Sequence, residues 1–290
     1  MLRTRRQLWL YPLFQVPLML MAACLIIAVL GWLLNWGRPP VAVAIALDFS
    51  DSTSGVVRQQ EIQAVNSYLD ENQQLNNSNQ IQIFGFATKV QPLTNDFQAD
   101  SQQVKKELER SLQNTNLDRE LGGGTNLNLA IERGTNALSS VVERCRELLI
   151  VTDGIADVSD NIINRAIENK VKINAVVLGG KESKEVRSAT RQTEGIYLQD
   201  EAGNLEMLFT DKFFAKFNSN IRWVMFWLGG AFISLMWMLV LPLDRWFFQS
   251  LIGLDMTLGG QLALANALFW TVLTVVVVVN LWGLPFGSSC

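Results

Sequence analysis

The chain has 290 residues, 49% of them apolar, with no histidine, three cysteines and a formal net charge of −3. Without an imidazole, Ser-His-Asp and Cys-His catalysis, histidine metal sites and histidine pH switches are excluded, and the acidic balance provides no basic surface for nucleic acid. Cys24, Cys145 and Cys290 fall in three separate regions without zinc-ligand spacing, so neither a zinc site nor a disulfide framework is expected.

Residues 1–12 form a basic tail carrying Arg3, Arg5 and Arg6. Residues 13–36 are an uncharged apolar run long enough to cross a bilayer as a first transmembrane helix. Met21-Ala22-Ala23-Cys24 faintly resembles a lipoprotein cleavage box, yet the sequence stays apolar through 25–36, beyond the roughly 7–15 residues of a signal h-region. An uncleaved anchor is expected, ended by Arg38-Pro39-Pro40.

From 41 to 218 the composition changes: all nine tryptophans lie outside this segment, in or beside the apolar spans. That partition predicts one soluble domain inserted between membrane segments, with the indoles at the interfaces. A second span is expected at 221–241 and a third at 262–284, with a loop at 242–261 containing Asp244, Arg245 and Asp255. Gly230 and Ser234 give the second span a small-residue face for close helix approach. The span interiors are uncharged, so they carry no proton relay or ion pathway.

Inside the domain, strand-like runs at 41–47, 81–87, 147–152, 172–178 and 196–199 alternate with helical patterns at 55–70, 101–112, 127–139, 158–169 and 183–192. Residues 89–93 read as a hairpin partner to the second strand, and Ser101 as the N-cap of the helix it opens. Strands without polar alternation belong inside a sheet covered on both faces. The predicted class is therefore α/β: a doubly wound, mostly parallel, Rossmann-like sheet flanked by helices, with three transmembrane α-helices attached. Its ligand site is expected at the carboxyl ends of the strands. Residues 205–217 place apolar side chains at helical spacing, either against the membrane surface or as the last helix of the domain.

Three loops leave that carboxyl edge with oxygen-bearing side chains. Asp48 ends the first strand and is followed by Ser50 and Ser52; Gly122-Gly123-Gly124-Thr125 precedes a helix; Thr152-Asp153-Gly154 closes the strand at 147–152. Two carboxylates with three hydroxyls suit a hard cation, Mg²⁺ or Mn²⁺, and Ca²⁺ less well because it takes more ligands. Asp51 and Asp157 lie nearby as solvated acids, and the glycine run lacks the Gly-Lys-Ser/Thr of a phosphate loop, which leaves flexibility as its role.

Asp48, Ser50, Ser52, Thr125 and Asp153 resemble the metal-ion-dependent adhesion site of the von Willebrand factor A domain family, whose pattern is Asp-x-Ser-x-Ser, then Thr, then Asp. The resemblance covers roughly 41–210. It implies that the hydroxyls ligate the metal, that the two aspartates act directly or through water, and that one position stays open for an acidic residue of a protein partner. A second role also fits the set, an ion that only ties the three loops together.

The resemblance extends to bacterial membrane proteins that work beside MoxR-type AAA+ ATPases or help assemble membrane complexes, so protein partners and the membrane-embedded helices of other subunits are expected. The leading expectation is a non-enzymatic assembly or scaffolding protein of the bacterial inner membrane; the alternative is a regulatory subunit of a channel or transporter. Arg3, Arg5 and Arg6 place the N-terminus in the cytoplasm and the domain outside it, against the pull of Arg38, Lys212, Lys216 and Arg222 on the other side.

Overall fold

The computed structural model describes residues 11–153, 157–178, 183–200 and 202–285. They divide into two compact units, one spanning Pro39–Asn218 and the other built from the helical segments on either side.

In chain order the elements are α1 (Pro12–Leu34), β1 (Val41–Asp48), α2 (Val56–Gln73), β2 (Gln80–Phe86), β3 (Val90–Pro92), α3 (Ser101–Leu112), α4 (Leu117–Leu121), α5 (Leu127–Ser139), β4 (Cys145–Thr152), α6 (Asp160–Glu168), β5 (Val171–Leu178), α7 (Lys184–Gln192) and β6 (Tyr197–Asp200). A last helical stretch of the domain, α8, covers 205–217, and α9 (Ile221–Leu251) and α10 (Met256–Trp282) follow.

The six strands form one sheet in the order β3-β2-β1-β4-β5-β6, parallel except for β3, which pairs antiparallel with β2. β1 lies in the middle, with Ile45 opposite Ile83 of β2 on one side and Leu149 of β4 on the other. All eight of its residues are buried, as its unbroken apolar run requires.

The two faces of β1 differ. Val43, Ile45 and Leu47 join a core with α2, α3 and α8, whereas Ala42, Ala44 and Ala46 face α5. Small side chains on that second face bring α5 close: a Cβ at Gly134 would lie 2.5 Å from Leu148 Cδ1. α8 belongs to the domain core. Tyr68 of α2 packs edge-on against Phe209 and Phe214 at centroid distances of 6.3 and 5.2 Å, and Phe213 is fully buried. Each aromatic removed from water in this way contributes about 1.5–3 kcal/mol.

The doubly wound α/β class predicted from sequence is the class observed, with local departures. The N-cap of α3 is Asp100, whose Oδ1 accepts from the amides of Gln102 and Gln103, and Ser101 is its first helical residue. α4 has no counterpart among the predicted elements. Cys145 is disulfide-bonded, contrary to the expectation from cysteine spacing, while Cys24 is free.

In the helical unit, α1, α9 and α10 have 23, 31 and 27 residues and are long and apolar enough to cross a membrane. The chain stays helical from 242 to 251, which the sequence assigns to a loop, because it winds as a π-helix directly after Pro242 (Leu243–Leu251). Only 252–255 separate α9 from α10. α1 and the turn after it pack on α9 through glycines: a Cβ at Gly31 or at Gly37 would lie 2.5 Å from the Trp223 indole. Asn220 Nδ2 donates to Gly31 O at 2.7 Å, a carbonyl that also accepts from the Asn35 and Trp36 amides, and to Trp36 O at 3.3 Å, just beyond α1. Trp237 Nε1 bonds Thr271 Oγ1 at 3.1 Å and joins α9 to α10.

Candidate metal centre

The strand order reverses between β1 and β4, since β2 continues on one side of β1 and β4 on the other. A crevice at such a switch point, beyond the carboxyl ends of the strands, is where doubly wound sheets bind ligands. Asp48 is the last residue of β1 and is fully buried. Its Oδ1 accepts from the Ser50 amide at 2.9 Å, an Asx-turn that bends the chain out of the strand. Thr53 Oγ1 tightens the turn by bonding to Asp48 O at 2.7 Å and Ser50 O at 3.0 Å.

The turn aligns a row of oxygens. Ser52 Oγ donates to Asp153 Oδ1 at 2.8 Å, and Ser50 Oγ lies 3.1 Å from Ser52 Oγ. A hydroxyl has one proton; with that of Ser52 directed at Asp153, Ser50 is the donor in the second contact. Asp153 follows β4 directly, and its neighbour Thr152 donates to Asp48 Oδ2 at 2.6 Å. Four of the five expected residues, Asp48, Ser50, Ser52 and Asp153, thus belong to one bonded set across β1 and β4.

Thr125, the fifth, stands in the adjoining loop before α5, half-buried and with no hydrogen bond from its hydroxyl among the described residues. That loop joins the first through the Asp51 amide, which donates to Gly123 O at 3.2 Å. Of the two acids expected to be solvated, Asp51 and Asp157, both are exposed, and the carboxylate of Asp51 rests over Gly123.

Burial raises the pKa of Asp48; hydrogen bonds from Thr152 and Ser50 oppose that shift and the charge of Asp153 adds to it. Glu61 of α2 is only 1% exposed. Among the described residues neither of its carboxyl oxygens has a hydrogen-bond partner, and burial, reinforced by Asp48 and Asp153 and opposed by Arg58, raises its pKa well above the usual glutamate value. Arg58 itself is directed to Asp118 at 2.7 Å and stacks on Phe49 at 4.6 Å. Among the described residues no three His, Cys, Asp or Glu side chains gather as a ligand set, so any ion held here depends on the hydroxyls.

Thr152, Thr53 and Glu61 were not legible as site residues. The first two precede or follow the motif positions and act through its backbone and carboxylate. Glu61 lies in a helix of weak amphipathicity, in which a polar residue gives no sign that it faces inward.

The von Willebrand factor type A domain model matches residues 41–197, more than half of the chain. The chain belongs to the von Willebrand factor type A domain family. Among curated proteins none matches the sequence. The solved structures similar to this type A domain include a von Willebrand factor type A protein from Catenulispora acidiphila, 14% identical with a TM-score of 0.52; the match covers 62% of this chain and 43% of that one. This chain therefore corresponds to less than half the length of that protein. An aerotolerance-related membrane protein from Bacteroides fragilis is 16% identical over 61% of this chain and 99% of its own, with a TM-score of 0.47. Proximal thread matrix protein 1 from the mussel byssus, with a zinc-occupied MIDAS motif, is 16% identical over 59% of this chain and 46% of its own, with a TM-score of 0.46. Likeness at such identities is one of fold.

Proposed function

We propose that this type A domain binds a hard divalent cation through Asp48, Ser50, Ser52, Thr125 and Asp153, and uses it to take an acidic side chain of a protein partner. The bonded grouping of Asp48, Ser50, Ser52 and Asp153 at the carboxyl edge of the sheet carries this reading. In an octahedral shell with metal–oxygen distances of about 2.1 Å, neighbouring ligands lie about 3.0 Å apart, a spacing that hydrogen-bonded oxygens already have. Ser50 to Ser52 is 3.1 Å and Ser52 to Asp153 is 2.8 Å. Five oxygen ligands leave one position of a six-coordinate Mg²⁺ or Mn²⁺ shell, whereas Ca²⁺ takes six to eight.

When bound, the cation supplies a Lewis-acidic position for a carboxylate oxygen. The chain's own residues do the rest. Thr152 and the Ser50 amide orient the buried Asp48 carboxylate, and the Asx-turn presents the two serine hydroxyls on one side. With no histidine to serve as a general base, the arrangement supports holding a partner and not turning over a substrate. Three membrane-length helices would keep the captured partner at the bilayer, consistent with assembly or scaffolding of a membrane complex in a bacterial inner membrane, the domain lying outside the cytoplasm. By analogy with the family, a MoxR-type AAA+ ATPase is a candidate partner.

The test uses the full-length chain in detergent. Mg²⁺ raises the melting temperature of the wild type, EDTA reverses the rise, and Asp48→Ala removes the response while leaving membrane insertion intact. A wild type whose melting temperature is indifferent to Mg²⁺ and Mn²⁺ sinks the proposal. Recovery of a partner from native membranes in Mg²⁺ but not in EDTA extends it to capture.

A further inference from the structure

We infer that Thr88 and Asp51 clamp the triple-glycine loop from two sides and so fix where Thr125 stands, which makes Thr88 a positioning residue of the cation site; this rests on the function proposed above. Thr88 lies in the β2–β3 connection, outside every motif in the sequence, and its hydroxyl accepts from the Gly124 amide at 3.0 Å.

The glycines are there for space and not for flexibility. A Cβ at Gly122 would stand 3.0 Å from Thr88 Cβ and Oγ1, and one at Gly124 would stand 3.0 Å from Thr88 Oγ1. On the other side, a Cβ at Gly123 would meet Asp51 Oδ2 at 2.4 Å. Gly122 also takes φ +85°, which an L side chain disfavours. Thr88 thus crowds Gly122 and Gly124 from one side, and the exposed Asp51 carboxylate lies over Gly123 on the other.

Backbone bonds seat the same loop at both ends. Lys89 N donates to Leu121 O at 2.9 Å and Asn126 N to Ala87 O at 2.8 Å, while Asp51 N reaches Gly123 O. Within this frame Gly124, the residue directly before Thr125, is held by a side chain, Thr88. The Thr125 hydroxyl itself bonds to nothing among the described residues, so its position is set by the loop that carries it. Losing the Thr88 hydroxyl would therefore shift a ligand without removing one, an effect worth about tenfold in metal affinity for an outer-shell partner.

The experiment compares Thr88→Val, which keeps the shape and loses the acceptor, with Thr88→Ser, which keeps the acceptor, in the full-length chain in detergent. Mg²⁺ affinity is read by titration, and the exchange of the Gly124 amide is read without Mg²⁺. Thr88→Val is expected to weaken Mg²⁺ binding about tenfold and to speed Gly124 exchange, with its Mg²⁺-free melting temperature near wild type; Thr88→Ser stays near wild type in both. Gly124→Ala, which retains Thr88 but pushes it away, should weaken binding similarly and serves if Thr88→Val does not fold. Wild-type Mg²⁺ affinity in Thr88→Val, or equal losses in the Val and Ser variants, overturns the inference. A wild type without Mg²⁺ response instead removes the underlying site, and Gly124 protection alone would then mark a loop contact with no bearing on a cation, which also overturns it.

Discussion

Thr152 Oγ1 donates to Asp48 Oδ2 at 2.6 Å, joining the last residue of β4 to the last residue of β1 at the point where the strand order reverses. Both residues are fully buried. The bond steadies a carboxylate whose pKa burial has raised, and it does so from the strand that also carries Asp153. Thr152→Val keeps the side-chain shape and strands one lone-pair direction of a buried carboxylate. The expected loss is about 1–3 kcal/mol of stability, read by denaturant unfolding of the domain's circular dichroism, together with weaker Mg²⁺ stabilisation. Unchanged values in both would show that Asp48 needs no orientation from β4.

Glu61 governs a pH dependence of definite sign. Its carboxyl, raised well above the ordinary 4.5 chiefly by burial and then by Asp48 and Asp153, binds more protons folded than unfolded. Stability therefore falls as pH rises from the ordinary glutamate range up through the raised folded value. Glu61→Gln removes this contribution, so its melting temperature should vary less with pH across that window and exceed that of the wild type at neutral pH. Parallel melting curves for the two proteins from acid to neutral pH would refute it.

Gly134 marks the closest approach of α5 to the sheet, with Leu148 fully buried beneath it. Gly134→Val has nowhere to put its branches without moving Leu148 or α5. Overpacking of this kind costs about 1–3 kcal/mol. Because α5 begins two residues after Thr125, a shift of the helix should also reduce the Mg²⁺ response. A variant as stable as the wild type would mean that α5 moves freely on the sheet.

Tryptophan fluorescence reports on the helical unit alone, because residues 41–218 contain no tryptophan. Asn220→Ala removes the donor to Gly31 O and Trp36 O, worth about 1–2 kcal/mol between helices in a membrane. The fluorescence-detected melting of the full-length chain should move down while Mg²⁺ stabilisation of the domain is kept. Loss of the Mg²⁺ response in this variant would tie the cation site to the helical unit.

Much of the architecture could be read from residues because the signals are local. Unbroken apolar runs such as Val41 to Leu47 have one physical explanation, burial on both faces, and they marked the strands to within two residues. The Asp-x-Ser-x-Ser turn, the Thr125 loop and Asp153 converge because each follows or borders the carboxyl edge of the sheet. Other features depend on tertiary context. α4 is five residues long, too short for a periodicity. Asp100 and Ser101 are adjacent and equally suited to cap α3, and only the backbone decides between them. Pro242, Asp244 and Arg245 broke the apolar run where the helix does not break. Thr88 acts across 36 residues of sequence, and no spacing rule reaches that far.

Asn220 has a wider consequence. The helical unit releases the chain just after Trp36 and takes it back at Asn220, and one side-chain amide spans those two points. The helices thus carry their own clasp where the large insertion begins and ends. The insertion behaves as a cassette: the energetic cost of closing it is met by the helices, and loop-closure entropy rises only slowly with the length of what is inserted. A different module, or a short flexible connector, could occupy the same gap without dismantling the helices, so the type A domain and the helical unit can be exchanged and can diverge independently.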